Sequence, residues 1–546
     1  MDQFINDRNA LVTDAIEGVL SSSGTGVTRL DGYPHIKVVV RTDHDRGKVA
    51  LVSGGGSGHE PSHAGFVGRG MLTAAVCGEV FASPSVEAVL AGILAVSGDV
   101  GCLLIVKNYT GDRLNFGLAA ERARALGHQV RMVIVDDDIA IPDAPQARGL
   151  AGTLFVHKIA GALAEQGADL DTVADTAQRV IDNTLSIGMA LDTCTIPGSN
   201  KEQRLSAGKA ELGLGIHGEP GVEQVDFSGA RQAVTLLVDK LGQHLAATEN
   251  RRSQVALINN LGGCTQLEMS ILTKELLHSC IGEHIGWVIG PASLMTSLDM
   301  HGFSVSLLDV SGDDDLRAAL LTEAAPRYWP GCSAVVAQPE VLPVSKGLSP
   351  SRPAPSAHEP TRTLIDSSCA ILIGAEAELN ALDAKSGDGD TGSTLATAAR
   401  ALRNRLDDMP LADTPQLLHS LAAELSQTMG GSSGVLLAIF FAAAGDAASR
   451  GSDLQQALQA GLARMQQIGG ARPGDRTMID ALAPALEILD QGLPEAARAA
   501  RHGADATAGM TRARAGRASY VSEANLVGHI DPGAEAVARL LEQLAT

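Results

Sequence analysis

AQPEVLPVSKGLSPSRPAPSAHEP, residues 337–360, carries six prolines and few large apolar side chains. Proline fixes φ and withholds a backbone donor, so the stretch reads as an extended, semi-rigid linker rather than a helix or an inner strand. It divides the 546-residue chain into residues 1–336 and 361–546. A usual domain has about 100–200 residues, so a multidomain globular protein is expected, and 45% hydrophobic residues are enough to fill several cores.

Upstream of the linker, the short apolar runs KVALVS, GCLLIVKN and VRMVIVDD alternate with helical patterns such as SVEAVLAGILAVSG and LNFGLAAERARALG. This alternation predicts strand-helix units in a largely parallel sheet. A second set, VALINNLGG, WVIGPAS and FSVSLLDV, predicts another α/β lobe, with lobe bounds near 1–185 and 186–336. Downstream, AAELSQTM, DLQQALQAGLARMQQIG and AEAVARLLEQLA have the spacing of amphipathic helices, and an all-helical domain is expected over 361–546.

A formal charge of −21 argues against nucleic acid or an anionic membrane as partner, since either needs clustered Lys and Arg. Small molecules fit better. Seven scattered cysteines without a C-x-x-C pair read as buried thiols in a reducing compartment. The start, MDQFINDRNALVTDAIEG, lacks a signal-peptide pattern, and the most apolar run, GVLLAIFFAAAG, is shorter than the roughly 20 residues of a membrane span. The expectation is a soluble, cytoplasmic protein with no membrane partner.

Four residues of the first part are candidates for chemistry. VALVSGGGSGHEPSH runs a strand into Gly54, Gly55, Gly56, Ser57, Gly58 and His59; without a lysine or a final glycine it is no nucleotide loop, and a plain tight turn is the competing reading. The next strand ends in Lys107 and leads to Asp112. Carboxyl ends of adjacent strands border one crevice, so Lys107, Asp112 and His59 are candidates to converge there; Asp112 is equally a candidate helix N-cap. His217 lies in the glycine-dense ELGLGIHGEPG, where a neutral imidazole nitrogen could attack a small carbonyl compound or simply be exposed.

In the second part, LDAKSGDGDTGST places Asp383, Asp388 and Asp390 within eight positions. The spacing fails an EF-hand loop, because Ala399 stands where its last carboxylate belongs; magnesium shared with phosphates and a solvated turn remain. Glycine and hydroxyl clusters follow at 391–394, 429–435, 469–478 and 531–534. Such loops at helix N-termini form anion sites, and their number beside a carboxylate trio suggests a nucleoside triphosphate with its metals.

SGGGSGHEP, GEVFASPS, KNYTGDRLNFG, GIHGEPG and NNLGG, followed by LNALDAKSGDGDTGST, MGGSSGVL, GDRTMIDAL, GRASY and DPGA, resemble the single-chain, ATP-dependent dihydroxyacetone kinases. The resemblance covers both parts in order. It implies a K-type substrate domain and a helical, barrel-like L-type ATP domain. His217 would hold the substrate carbonyl as a covalent hemiaminal, while His59 and Asp112 would bind the substrate and assist deprotonation of its hydroxyl. Lys107 and the Gly56, Ser57 and Gly58 backbone would line the same pocket. Asp383, Asp388 and Asp390 would hold two Mg2+ ions against ATP. Phosphate and nucleoside contacts would fall on Thr391, Gly392, Ser393, Thr394, Ser432, Ser433, Gly469, Thr477, Met478, Asp531, Pro532 and Gly533. After GRASY this chain reads VSEANLVG, without the arginine that many stand-alone L-type subunits carry there; Arg476 and Arg517 are the alternatives.

The implied reaction is ATP-dependent phosphorylation of dihydroxyacetone or a related short sugar such as glyceraldehyde, by a homodimer. The rivals are a kinase of a four-carbon ketose such as erythrulose, a kinase fed by a phosphotransferase relay and a non-enzymatic carbonyl sensor. The FMN-cyclising activity of animal members is neither supported nor excluded.

Overall fold

The computed structural model describes residues 3–141, 146–245, 252–345 and 353–546, and within the linker residues 346–352 lie outside the described set. The chain forms two compact units, Met1–Glu340 and Val341–Thr546.

The first unit is built on two sheets. Strands β1 (Val27–Arg29), β2 (Val38–Arg41), β3 (Ala50–Ser57), β4 (Ala74–Val80), β5 (Cys102–Lys107) and β6 (Val130–Val135) form the first, in the order β1-β2-β4-β3-β5-β6. β4, β3, β5 and β6 run parallel, and β1 and β2 add an antiparallel edge. β3 is buried along its whole length, and its side chains alternate between two cores. Leu51 joins the core containing Phe155 and Ile159 of helix Thr153–Glu165, while Ala50 and Val52 join the core under helices Val86–Val96 and Thr110–Ala125.

The second sheet holds β7 (Thr184–Ala190), β8 (Lys209–Leu212), β9 (Glu223–Asp226), β10 (Gln254–Asn260), β11 (Ile285–Ala292), β12 (Gly302–Asp309) and β13 (Cys332–Ala334), in the order β13-β11-β10-β12-β7-β8-β9. Among the described strands of this sheet, only β10 and β11 pair in parallel. The strand-helix alternation read from the sequence therefore holds for the first sheet more fully than for the second, where β12 and β7 pair antiparallel over seven residues. The largest apolar cluster reaches both sheets, joining Leu51 and Leu103 to Val255, Ile289 and Leu308, so the two lobes share one core.

The second unit is all-helical. Helices Glu359–Gly374, Thr391–Asn404, Thr414–Thr428, Gly431–Ser449, Leu454–Gly469, Ile479–Glu487, Leu493–Thr507 and Pro532–Leu544 pack in that order, and the last returns to the first, closing a ring. The first helix begins inside the proline-rich stretch, because Pro360 sits in its first turn, where a missing N–H costs nothing. Gly431–Ser449 is long and apolar enough to cross a membrane by length and composition, unlike its shorter apolar run taken alone; here it is a ring member packed between its two neighbours. Asp531 N–H donates to Thr507 Oγ1, Leu411 N–H donates to the Ser356 carbonyl and Ser356 N–H to the Met409 carbonyl, tying the ends of neighbouring helices together. Short connections make neighbours antiparallel from Thr391 to Thr507, and the Asp531–Thr507 bond sets the start of the last helix beside the end of the one before it. The helix starts at Thr391, Gly431, Ile479 and Pro532 therefore share one end of the ring.

Candidate active site

The parallel neighbours β3 and β5 deliver their carboxyl ends side by side, the usual location of a ligand crevice in an α/β sheet. β3 leads through Gly55 and Gly58 to His59, and β5 ends on Lys107. Asp112 is the third residue of helix Thr110–Ala125, whose N-cap is Tyr109 in extended conformation; the expected N-cap role for Asp112 is thus overturned, and its carboxylate is left for other work. Gly55 adopts φ +148, and a Cβ built there would sit 2.8 Å from Lys107 Nζ and 3.3 Å from Asp112 Oδ2. The bare glycine is what lets the lysine and the carboxylate approach the strand end together.

His59 is fully buried, and its Nδ1 lies 2.8 Å from the Thr296 carbonyl oxygen. A carbonyl can only accept, so in the neutral ring Nδ1 carries the proton and Nε2 is a bare acceptor. Nε2 has no partner, and neither does Asp112 Oδ1, although both are buried. Burial holds His59 well below the usual histidine range, with His217 and Lys107 adding to the effect, and it raises Asp112 against the opposing charge of Lys107. Two unpaired acceptors beside a lysine donor suit a small polyhydroxy ligand.

His217 comes from the loop between β8 and β9 and meets this cluster through its ring. Centroid separations are 4.8 Å to His59, 5.4 Å to Phe81 and 4.4 Å to Tyr109, all edge-on. Its backbone N–H donates to Glu219 Oε2 at 2.8 Å, pinning the loop. Burial lowers its pKa to about 4, against the pull of Glu219, so the ring is neutral and nucleophilic at physiological pH. The backbone of Gly56, Ser57 and Gly58 continues the crevice; Ser57 Oγ donates to the Gly78 carbonyl, and Gly58 N–H donates to Glu60.

In the helical unit, helix Glu376–Asp383 ends on Asp383, whose Oδ2 accepts the backbone N–H groups of Gly389, Asp390 and Thr391 at 3.0–3.1 Å. That folds the turn back so that one oxygen each of Asp383, Asp388 and Asp390 lie within 4.8 Å of one another, Asp383 buried and the other two exposed. An all-carboxylate set of this kind fits a hard divalent cation such as Mg2+. Another group of possible ligands among the described residues, Cys264, Glu268 and His301, is internally paired: His301 Nε2 lies 2.8 Å from Glu268 Oε1, and Cys264 Sγ donates to the Gly302 carbonyl.

Thr391, Gly392, Ser393 and Thr394 form the first turn beside that trio, and Ser393 is held by Asn380 through its backbone N–H and its hydroxyl. Ser432 and Ser433 open Gly431–Ser449, Gly469 ends Leu454–Gly469, and Thr477 and Met478 precede Ile479–Glu487. These residues therefore gather at one end of the ring. Gly533 joins them, since a Cβ on it would stand 3.2 Å from Met478 Cβ. Asp531 is buried and accepts from Ala534 N–H as the helix N-cap, with Pro532 at the first position, so its carboxylate shapes the loop. Arg476 is buried and donates to the His529 carbonyl, bracing the segment after GRASY, while the side chain of Arg517 lies outside the described residues.

Sequence reasoning missed the groups behind the crevice. His63 Nε2 lies 2.7 Å from Lys107 Nζ, and the His157 ring stands 5.2 Å from that of His63. His63 is visible in the GHEPSH stretch as a second histidine, but His157 sits in an apolar helical run and carries no signal.

Fold and site together define a fused two-domain chain: a Dak1 domain matches residues 18–326 and a DAK2 domain matches residues 385–546. Dihydroxyacetone kinase of Citrobacter freundii is 49% identical, over 99% of this chain and 98% of that protein. Triokinase/FMN cyclase of Homo sapiens is 41% identical, over 99% of this chain and 98% of its own. The crystal structure of the C. freundii kinase in complex with AMP-PNP and Mg2+ matches with a TM-score of 0.70 at 48% identity, covering 100% of this chain and 99% of that one. The chain belongs to the dihydroxyacetone kinase family.

Proposed function

We propose that this protein is an ATP-dependent kinase that phosphorylates dihydroxyacetone, and related short carbonyl sugars such as glyceraldehyde, working as a cytoplasmic homodimer. The observation that carries this reading is the neutral ring of His217 set against two buried, unpaired acceptors, His59 Nε2 and Asp112 Oδ1. The unprotonated ring nitrogen of His217 adds to the carbonyl carbon. The carbonyl oxygen becomes a hydroxyl, taking the proton that the other ring nitrogen releases, and a hemiaminal holds the substrate. His59 Nε2 and Asp112 Oδ1 accept from the substrate hydroxyls, and Asp112, raised above the usual carboxylate range, takes the proton of the attacking one. Lys107 donates to a substrate oxygen and keeps Asp112 ionised.

Asp383, Asp388 and Asp390 would hold two Mg2+ ions, which neutralise charge on the β- and γ-phosphates when ATP is bound. The first turns at Thr391–Thr394 and Ser432–Ser433 present amide and hydroxyl donors to the phosphates, and Gly469, Thr477, Met478 and Gly533 line the nucleoside end. The test is ADP formation with a panel of short ketoses, aldoses and glycerol. Magnesium-dependent turnover with dihydroxyacetone, lost in Asp383→Ala, is expected; carbonyl binding without turnover in the wild type would leave a sensor and overturn the reading. Sedimentation of the active species checks the dimer, and a fully active monomer refutes it.

A further inference from the structure

Lys107 is fully buried beside the site, yet its ammonium is spent on a histidine and not on the neighbouring carboxylate. Its Nζ lies 2.7 Å from His63 Nε2 and 3.4 Å from the Gly54 carbonyl oxygen, while Asp112 Oδ1 has no hydrogen-bond partner. An ammonium only donates, so His63 Nε2 is the acceptor and the neutral ring carries its proton on Nδ1. Nδ1 has no partner, and behind it His157 is fully buried with both ring nitrogens unpaired. His63 Nε2 is taken up by the Lys107 ammonium, so His63 acts through the lysine.

We infer that His63 is a positioning residue that draws the Lys107 ammonium away from Asp112 and leaves the Asp112 carboxylate free to take the substrate hydroxyl proton. This rests on the kinase reading above. The charges that bear on the arrangement are few. Burial dominates at every member; Lys107, His157 and His59 act on His63, the Lys107 charge and a Ser83 hydrogen bond oppose burial at Asp112, and the Asp112 charge opposes it at Lys107. Without an acceptor at position 63, a buried ammonium turns to Asp112, the one carboxylate that faces it among the described residues. Asp112 then becomes a weaker base that ionises at lower pH.

The test compares wild type, His63→Leu, His63→Gln and Lys107→Met in ATP-dependent turnover of dihydroxyacetone against pH. His63→Leu is expected to lose about ten- to a hundredfold in kcat, the range for an unmade hydrogen bond to a buried charged group, with the acid limb of kcat/KM moved to lower pH. His63→Gln, which keeps an oxygen acceptor, restores most of kcat and the limb. His63→Leu in a Lys107→Met background should add little. A limb that stays put or rises in His63→Leu, or losses that multiply in the double variant, overturns the inference. Should His63→Leu not fold, the histidine 15N spectrum of the wild type decides: a His63 ring protonated on Nδ1 is required, and one protonated on Nε2 refutes it. Absence of dihydroxyacetone turnover in the wild type would instead refute the kinase reading.

Discussion

The ring of His217 stands edge-on to the ring of His59, with centroids 4.8 Å apart and planes at 84°. Two imidazoles this close, one of them fully buried, cannot both carry a charge, since neighbouring cations in a low-dielectric pocket repel strongly. Both are indeed held below the ordinary histidine range by burial. That pair is the electrostatic condition for a nucleophilic histidine, and it sets how the protein answers to acid.

A histidine whose pKa falls on folding binds fewer protons in the native state than in the unfolded one. Its contribution to stability is complete above the unfolded value of about 6.5 and is lost as pH falls from there through the folded value. His157, buried and lowered to about 3, and His217, lowered to about 4, both act in this direction, as do His59 and His63. Thermal unfolding at pH 7 and pH 5 should show a marked fall. His157→Phe should remove up to about 2 kcal/mol of that difference; an unchanged pH dependence would show that His157 is not held neutral by its surroundings.

The three carboxylates of the helical unit differ in what they support. Asp383 Oδ2 holds three backbone amides, whereas Asp388 is exposed. Asp388→Ala should therefore abolish magnesium-dependent turnover with Tm nearly unchanged, and Asp383→Ala should abolish it while also lowering stability by about 1–2 kcal/mol, the cost of stranding three part-buried amides. Calorimetry beside the kinase assay separates the two. Normal turnover in Asp383→Ala would remove the metal assignment.

Gly55 fills no volume at the point where Lys107 and Asp112 come closest to the strand. Gly55→Ala would set a methyl 2.8 Å from Lys107 Nζ, in a backbone conformation of φ +148 that side chains rarely adopt. A displacement of the lysine or the carboxylate by about 1 Å costs on the order of a hundredfold in rate. Loss of kcat/KM for dihydroxyacetone by that factor, with magnesium and nucleotide affinity unchanged, is the expected result in steady-state kinetics.

Much of this was readable in the chain. β3, β5 and β6 announce themselves as apolar runs ending in glycine or polar residues, and the convergence of His59, Lys107 and Asp112 follows from adjacent parallel strands. β8 and β9, KAEL and EQVD, were missed because four-residue polar strands carry no period to detect. The bond between His59 and the Thr296 carbonyl spans 237 positions, and nothing local at either end reports it. His157 was silent for a related reason: a histidine inside an apolar helix reads as a satisfied core residue until both its nitrogens are seen to lack partners. The carboxylate trio was legible as a cluster, but the division of labour between Asp383 and its neighbours needed the three amide bonds.

Substrate choice gives the sharpest test of His217. Glycerol and dihydroxyacetone differ at the central carbon, and His59 Nε2, Asp112 Oδ1 and Lys107 Nζ can serve the terminal hydroxyls of either one. Shape and hydrogen bonding alone therefore discriminate weakly between them. A nucleophilic ring nitrogen discriminates by chemistry, because an alcohol has no electrophilic carbon to receive it. His217→Ala should raise KM for dihydroxyacetone at least about tenfold, the equivalent of one lost interaction of about 1.4 kcal/mol, and bring its kcat/KM toward the value for glycerol. In the same variant ATP binding should be unaffected, because the carboxylate trio belongs to the helical unit. If His217→Ala rejected glycerol as firmly as wild type does, selectivity would lie in the walls around Phe81 and Tyr109 and not in a covalent bond.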